Sequence, residues 1–189
     1  MISVMNERGH GHKISECLPA ALEPLIAVLH QLAELIESLS DEQYTRKPVS
    51  VVASSIGGHV RHNLDHIESF LNGIQRGLID YDDRQRGTDV ETSRQAALQA
   101  IDRLETCLYA ARWEAVRDPL RLSMLVDPQA QPVLVLTSVE RELAFVLSHT
   151  IHHNSLIGVI AQLMAVTIPK YFGYAPSTIA HREAKQCVR

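Results

Sequence analysis

Four stretches of this 189-residue sequence space their apolar residues at the period of an α-helix, and that pattern restricts the chain to packed helices more than any other feature. The first stretch runs from about Ala20 to Leu39, with Leu22, Leu25, Ile26, Leu29, Leu32, Ala33, Ile36 and Leu39 along one face. Pro19 and Pro24 lie at its start, where a missing backbone N–H is tolerated best. A linker with a short turn, Ser40 to Val52, leads to the second stretch, about Ser54 to Gln75. Ser54 or Ser55 is its N-cap, Ile56, Val60, Ile67, Leu71 and Ile74 form its stripe, and Gly73 and Gly77 mark where it can stop. The third opens at Thr88, which with Glu91 reads as a capping box, and reaches about Trp113. Leu98, Ile101, Leu104, Leu108 and Ala111 are its buried face. The fourth begins at Thr137 or Ser138, carries Glu140 and Glu142 in its first turns, and continues until Pro169.

Between the third and fourth helices the period changes. Leu120, Leu122, Met124 and Val126 alternate with Arg121, Ser123 and Leu125, Asp127-Pro128-Gln129-Ala130 turns, and Val133 to Leu136 returns. This predicts a small β-hairpin from about Leu120 to Leu136. The expected fold class is all-α, four helices with that hairpin between the third and the fourth. Residues 20–189 read as a single domain, long enough to bury a core unaided, after a mobile N-terminal tail at 1–19. The C-terminal segment adds a short helix after Pro176.

Charge and cysteine usage narrow the partners. A formal charge of -4, with no Lys/Arg cluster, argues against nucleic acid. Cys17, Cys107 and Cys187 have neither zinc-ribbon nor redox spacing and read as the reduced thiols of a cytoplasmic protein. The N-terminus lacks the apolar run of a signal peptide, and no later segment reads as an unbroken apolar span, so no membrane partner is expected.

The ten histidines carry the functional signal. His10 and His12 fall in the N-terminal tail and are set aside. His149 and His153 stand one turn apart on one face of the most helical stretch, with Cβ atoms about 5–6 Å apart, so both rings can converge on one ion. His59, His62 and His66 share a face of the second helix, and any of the three can complete a three-histidine site if the two helices pack together. His62 looks out beside Ser55, Ser69 and Gly73, a strip of small residues that leaves room for an ion, whereas His59 and His66 lie nearer the apolar stripe. His152 points away from His153. A helical core containing histidines and no metal is the plain alternative. A zincin protease is excluded, because Thr150-Ile151-His152 supplies no glutamate between His149 and His153.

Two segments carry a family resemblance: Ser55-Ile56-Gly57-Gly58-His59-Val60-Arg61-His62 and Leu147-Ser148-His149-Thr150-Ile151-His152-His153. From the second helix to the C-terminal segment the chain resembles the DinB-like family of small bacterial helical-bundle proteins, which includes metal-dependent thiol transferases. In that family a segment of the form Trp-Ser-Ile-Arg-x-Ile-Leu-x-His ends on a metal-binding histidine, which falls here on His62, and a later His-x-x-x-His supplies two more ligands, here His149 and His153. The sequence departs from the pattern at three places. Ala53 or Ser54 replaces the Trp, Gly57-Gly58 replaces more helical residues, and Leu156 stands where a Gln is often found. These departures bear on the substrate more than on the ligands. The resemblance implies an up-down-down-up four-helix bundle. The roughly 14 residues between the second and third helices reach some 45 Å when extended, enough to cross one. It also implies a homodimer, for which spare apolar groups on the hairpin and third helix offer a seam.

Three imidazoles are neutral ligands suited to Zn²⁺ or Ni²⁺, and to other divalent transition metals. Such an ion lowers the pKa of bound water to about 7 and deprotonates a bound thiol. The expected function is therefore a metal-dependent transferase, of the thiol S-transferase type, or a hydrolase acting on a small molecule. A non-catalytic metal-binding bundle is the alternative. Arg84 and Arg86, in the run Tyr81-Asp82-Asp83-Arg84-Gln85-Arg86, are candidates for holding the carboxylates of a low-molecular-weight thiol, against the plainer reading of a solvated loop. Glu142 is a candidate to orient a ligand histidine. Trp113 and Tyr109 read as core or interface.

Overall fold

The computed structural model describes residues 18–48, 53–83, 87–116 and 119–187. Residues 1–17 of the expected tail, with His10 and His12, fall outside them, as do Arg84 and Arg86. Helix α1 (Leu22–Ser38) buries Leu22, Leu25, Ile26, Leu29, Leu32, Leu35 and Ile36. This is the face that periodicity indicated, with Leu35 added. Helix α3 (Ile56–Arg76) starts where the Ser55 hydroxyl accepts the Gly58 N–H at 3.0 Å and ends at Gly77, whose φ of 73° is left-handed. Helix α4 (Arg94–Ala110) and helix α5 (Val139–Leu163) are capped by the hydroxyls of Ser93 and Ser138. Each of α1, α3, α4 and α5 packs against two of the others: α3 against α4 and α5, and α1 against the same pair. One apolar core runs between them, each buried Leu or Ile contributing about 1.5–3 kcal/mol relative to an exposed one.

Four expectations about the elements and their bounds are corrected. The linker after α1 forms a short helix, α2 (Asp41–Thr45), closed by a reciprocal box between Ser40 and Gln43. Five residues are too few to show a period. The third helix begins at Arg94, because Thr88 makes no side-chain cap and Ser93 bonds the Ala96 N–H instead. Glu91, the other half of the expected capping box, pairs with Arg61 on α3 at 3.1 Å. Helix α5 stops at Leu163, well before Pro169, because Ala165 turns left-handed (φ 57°). Its N–H bonds Gln162 C=O while that of Val166 bonds Ala161 C=O, a Schellman closure.

The fourth correction concerns the hairpin. Strands β2 (Leu120–Met124) and β3 (Val133–Thr137) pair antiparallel as expected, with Leu122 opposite Val135. They are not a simple hairpin, because strand β1 (Leu78–Asp80) pairs parallel with β2 in a three-stranded sheet ordered β1-β2-β3. Gly77 turns the chain out of α3, and its carbonyl accepts the Arg121 N–H at 3.2 Å. Ile79 is fully buried against Gly73, where an added Cβ would come within 2.5 Å of Ile79 Cγ1. Gly57, one of the two glycines that depart from the family pattern, lets the turn at Glu91 and the Tyr44 ring close on α3.

Helix α5 is also long and apolar enough, by length and composition, to cross a membrane, contrary to the expectation. In this fold half of its apolar window is buried against protein, and it carries the fully buried Glu142.

Candidate metal centre

Helices α3 and α5 pack face to face, and that contact sets the register of two histidine rows. One potential ligand nitrogen from each of His62, His149 and His153 lies within 4.8 Å of the others. His62 Nε2 and His149 Nε2 are 3.2 Å apart, and the His153 ring centroid is 4.6 Å from that of His62 and 4.5 Å from that of His149. Two nitrogens held by one tetrahedral ion at 2.0–2.1 Å stand about 3.3–3.4 Å apart, close to the His62–His149 separation. His153 is buried and the other two are half-buried. The donor set and its spacing therefore fit a divalent ion: three histidines that could hold a metal.

His66, the second contender on α3, takes a different position. Its Nδ1–H donates to the His62 carbonyl at 2.9 Å, which turns the ring back along the helix. There it stacks on His149 at 4.0 Å between centroids, with the Tyr81 ring at 5.2 Å and inclined by 12°. Phe145 completes the wall, 5.7 Å from His149 and 5.1 Å from Tyr81. The residue that sequence reasoning passed over is Phe145, which was detectable, since it lies one turn before His149 on α5. Tyr81 stood in the run singled out for its arginines, and its place against His66 depends on β1.

His59, the third contender, stands outside the cluster, with its Nδ1 3.2 Å from His153 Nδ1. Burial, and secondarily the nearby His152, lowers its pKa, so the ring is held neutral. His152 is exposed, its ring edge-on to that of His153 at 5.2 Å.

Glu142 does not orient a ligand. It lies seven residues before His149, about 10 Å along the helix, and its oxygens are bonded elsewhere. Tyr81 Oη donates to it at 2.8 Å, Thr137 Oγ1 at 2.6 Å and the Arg141 guanidinium at 2.6 Å. The carboxylate thus ties the ends of β1 and β3 to α5. Burial first, and then the Glu142 charge, push the Tyr81 phenol far above its usual range, so Tyr81 remains a donor. Trp113 packs on Phe70 at 6.1 Å, whereas Tyr109 is exposed and donates to Glu23.

Two cavities, of about 370 and 720 Å³, open along α3 and α4, the smaller lined by Asp65, Glu68, Asp83 and Arg103 among others.

Comparison with known proteins agrees with this layout. A DinB-like protein from Bacillus subtilis shares the fold at a TM-score of 0.59 and 20% identity, over 80% of this chain and 97% of that one. FK506-binding protein 5 of Rhizopus delemar is 28% identical over 177 residues, which are 93% of this chain and 41% of that protein. The chain therefore spans about two-fifths of the length of that curated relative. The sequence profile of the DinB superfamily matches residues 25–157, well over half of the chain, including all three clustered histidines, and the chain belongs to that superfamily.

Proposed function

We propose that this chain binds one divalent transition metal ion, Zn²⁺ or Ni²⁺, through His62, His149 and His153, and acts as a metal-dependent transferase or hydrolase on a small molecule. The observation that carries the reading is the convergence of three imidazole nitrogens from two helices within 4.8 Å. Bound there, the ion would supply a Lewis acid that makes water or a thiol nucleophilic near neutral pH. The protein's own contribution is to hold three neutral nitrogens in place, with Phe145, His66 and Tyr81 walling the His149 side. Of the two chemistries we favour thiol transfer, with a low-molecular-weight thiol as co-substrate. Arg84 and Arg86 would bind its carboxylates. In support, Tyr81, three residues before Arg84, stacks on His66 at the edge of the histidine cluster.

We further read α1, α3, α4 and α5 as an up-down-down-up bundle, supported by the two neighbours each one touches. A cytoplasmic homodimer, with neither nucleic acid nor membrane as partner, completes the proposal. The exposed Val133, Leu134, Val135 and Leu136 of β3, at an edge of the sheet, support the dimer.

The test is elemental analysis of protein purified without a histidine tag, followed by thiol loss with a generic electrophile. One ion per chain is expected, absent from His62→Ala, His149→Ala and His153→Ala and retained in His10→Ala and His12→Ala. Turnover should vanish on chelation and fall when Arg84 or Arg86 is neutralised. A full metal site that turns over no thiol or simple ester would favour the non-catalytic role.

A further inference from the structure

We infer that the larger of the two cavities, between the C-terminal halves of α3 and α4, is a binding site for a small amphipathic anion: a carboxylate carried on an apolar body. The inference is independent of the metal reading above.

The space arises where both helices run out in small residues. Helix α3 closes at Gly77, α4 closes through Ala110 and Ala111, and all three line the cavity. Its volume of about 720 Å³ falls within the roughly 300–1,000 Å³ of sites that take small organic ligands. Leu71, Ile74 and Leu104 present apolar surface to it from the core. None of its lining residues belongs to the histidine cluster or to the rings that wall it. Arg76, on its rim, follows His62 by about 20 Å along α3.

Charge at the rim selects the ligand. Arg76, Arg103 and Arg112 line the cavity against a single carboxylate, Glu68, although the whole chain carries a formal charge of -4. Glu68 is taken by Arg103 at 2.9 Å. Arg112 has only Glu114, outside the lining and 3.8 Å away, too far for a hydrogen bond and weak between two exposed side chains. Arg76 has no ion pair among the described residues. The carbonyls that end α3 and α4 offset roughly half a charge each, so the surplus suits a monoanion rather than a dianion. A guanidinium offers two parallel N–H donors, which match a carboxylate. The smaller cavity has the opposite balance, with Asp65, Glu68 and Asp83 against Arg103. Both cavities share Glu68 and Arg103, so that ion pair stands at their boundary and an anion is held on the Arg76 side. The apolar floor then favours an acid with a hydrocarbon body over a bare inorganic ion.

The test is calorimetric titration of the whole chain, treated with chelator, with decanoate kept below its micelle concentration. One saturable site per chain is expected. Decylamine, with the wrong charge, and acetate, without the apolar body, should each bind about tenfold or more weakly. Arg76→Gln should weaken decanoate about tenfold or more, the worth of a charge-assisted hydrogen bond. Ala110→Phe fills the cavity from an exposed position and should abolish binding, whereas Asp83→Asn, in the neighbouring cavity, should leave it intact. Bound decanoate should also slow alkylation of Cys107, which lines the cavity, as read by peptide mass mapping. Melting of the unliganded variants checks the fold, and Arg112→Gln replaces Arg76→Gln if the latter is unstable. The inference is overturned if decanoate shows no saturable binding or if decylamine binds as tightly. It is equally overturned if Arg76→Gln and Ala110→Phe both leave affinity unchanged, which would place the hydrocarbon on an exposed apolar surface such as β3. Decanoate that binds only the monomer of a self-associating chain, by light scattering, would make the cavity a contact between copies and overturn it too.

Discussion

Glu142 has no exposed surface, and its carboxylate is tolerated there because three donors meet it. Tyr81 is the donor whose ring continues into the stack on His66 and His149, so it joins the buried charge to the histidine cluster. Replacing it by Phe keeps the ring and removes the hydroxyl. Tyr81→Phe should lower unfolding free energy by about 1–3 kcal/mol in urea titrations of the chelated protein. An unchanged midpoint would show that water replaces the lost donor. A second expectation at this scale concerns protons. Metal binding requires all three imidazoles deprotonated, so protons compete with the ion and affinity falls as pH falls. Dialysis at about pH 5 should strip metal that is retained at about pH 8, because an ordinary imidazole gains its proton between the two. Equal metal content at both would argue against a histidine-only donor set.

Among the elements, the junction of α3 and β1 has the least room. Gly73 lies in the last turn of α3, where alanine would ordinarily gain about 1 kcal/mol of helix propensity. Here the new Cβ would meet Ile79 at 2.5 Å from a side-chain atom and 2.7 Å from the backbone. Overpacking of this kind costs about 1–3 kcal/mol, so Gly73→Ala should destabilise despite the propensity. Thermal melts of Gly73→Ala with and without Ile79→Ala would check it. Stabilisation by the single change would mean that β1 can move away. The sequence marks both Gly73 and Gly77 as stopping points; the helix passes through the first and ends at the second. A glycine required for close approach and one required for a left-handed turn look alike until the neighbour is known.

At the scale of the molecule, β3 is an edge strand whose Leu134 and Leu136 are 62% and 73% exposed. Edge strands this apolar invite pairing, and a charge on them is the usual deterrent. If the proposed homodimer uses this edge, Leu136→Lys should shift light-scattering mass from dimer to monomer and leave the melting of the monomer nearly unchanged. A dimer that persists in Leu136→Lys would place the seam elsewhere.

The sequence by itself determined the faces of α1 and α3 and much of that of α4, narrowed the caps of α3 and α5 to one of two neighbouring residues each, and marked the two strands of the hairpin and a histidine pair poised on α5. Each of these depends on residues close along the chain. On α3 the spacing left His59, His62 and His66 all open; the strip of small residues beside His62 favoured it, and the family resemblance then singled it out. Helical period encodes direction around an axis; it does not encode the offset of one helix along another. The packing of α3 on α5 supplied that offset. It brought His62 to His149 at 3.2 Å, turned His66 into a stacking wall, and left His59 behind His153. The same holds for β1 and Glu142. Three residues carry no period, and a buried carboxylate finds its partners only when strands distant in sequence arrive beside it.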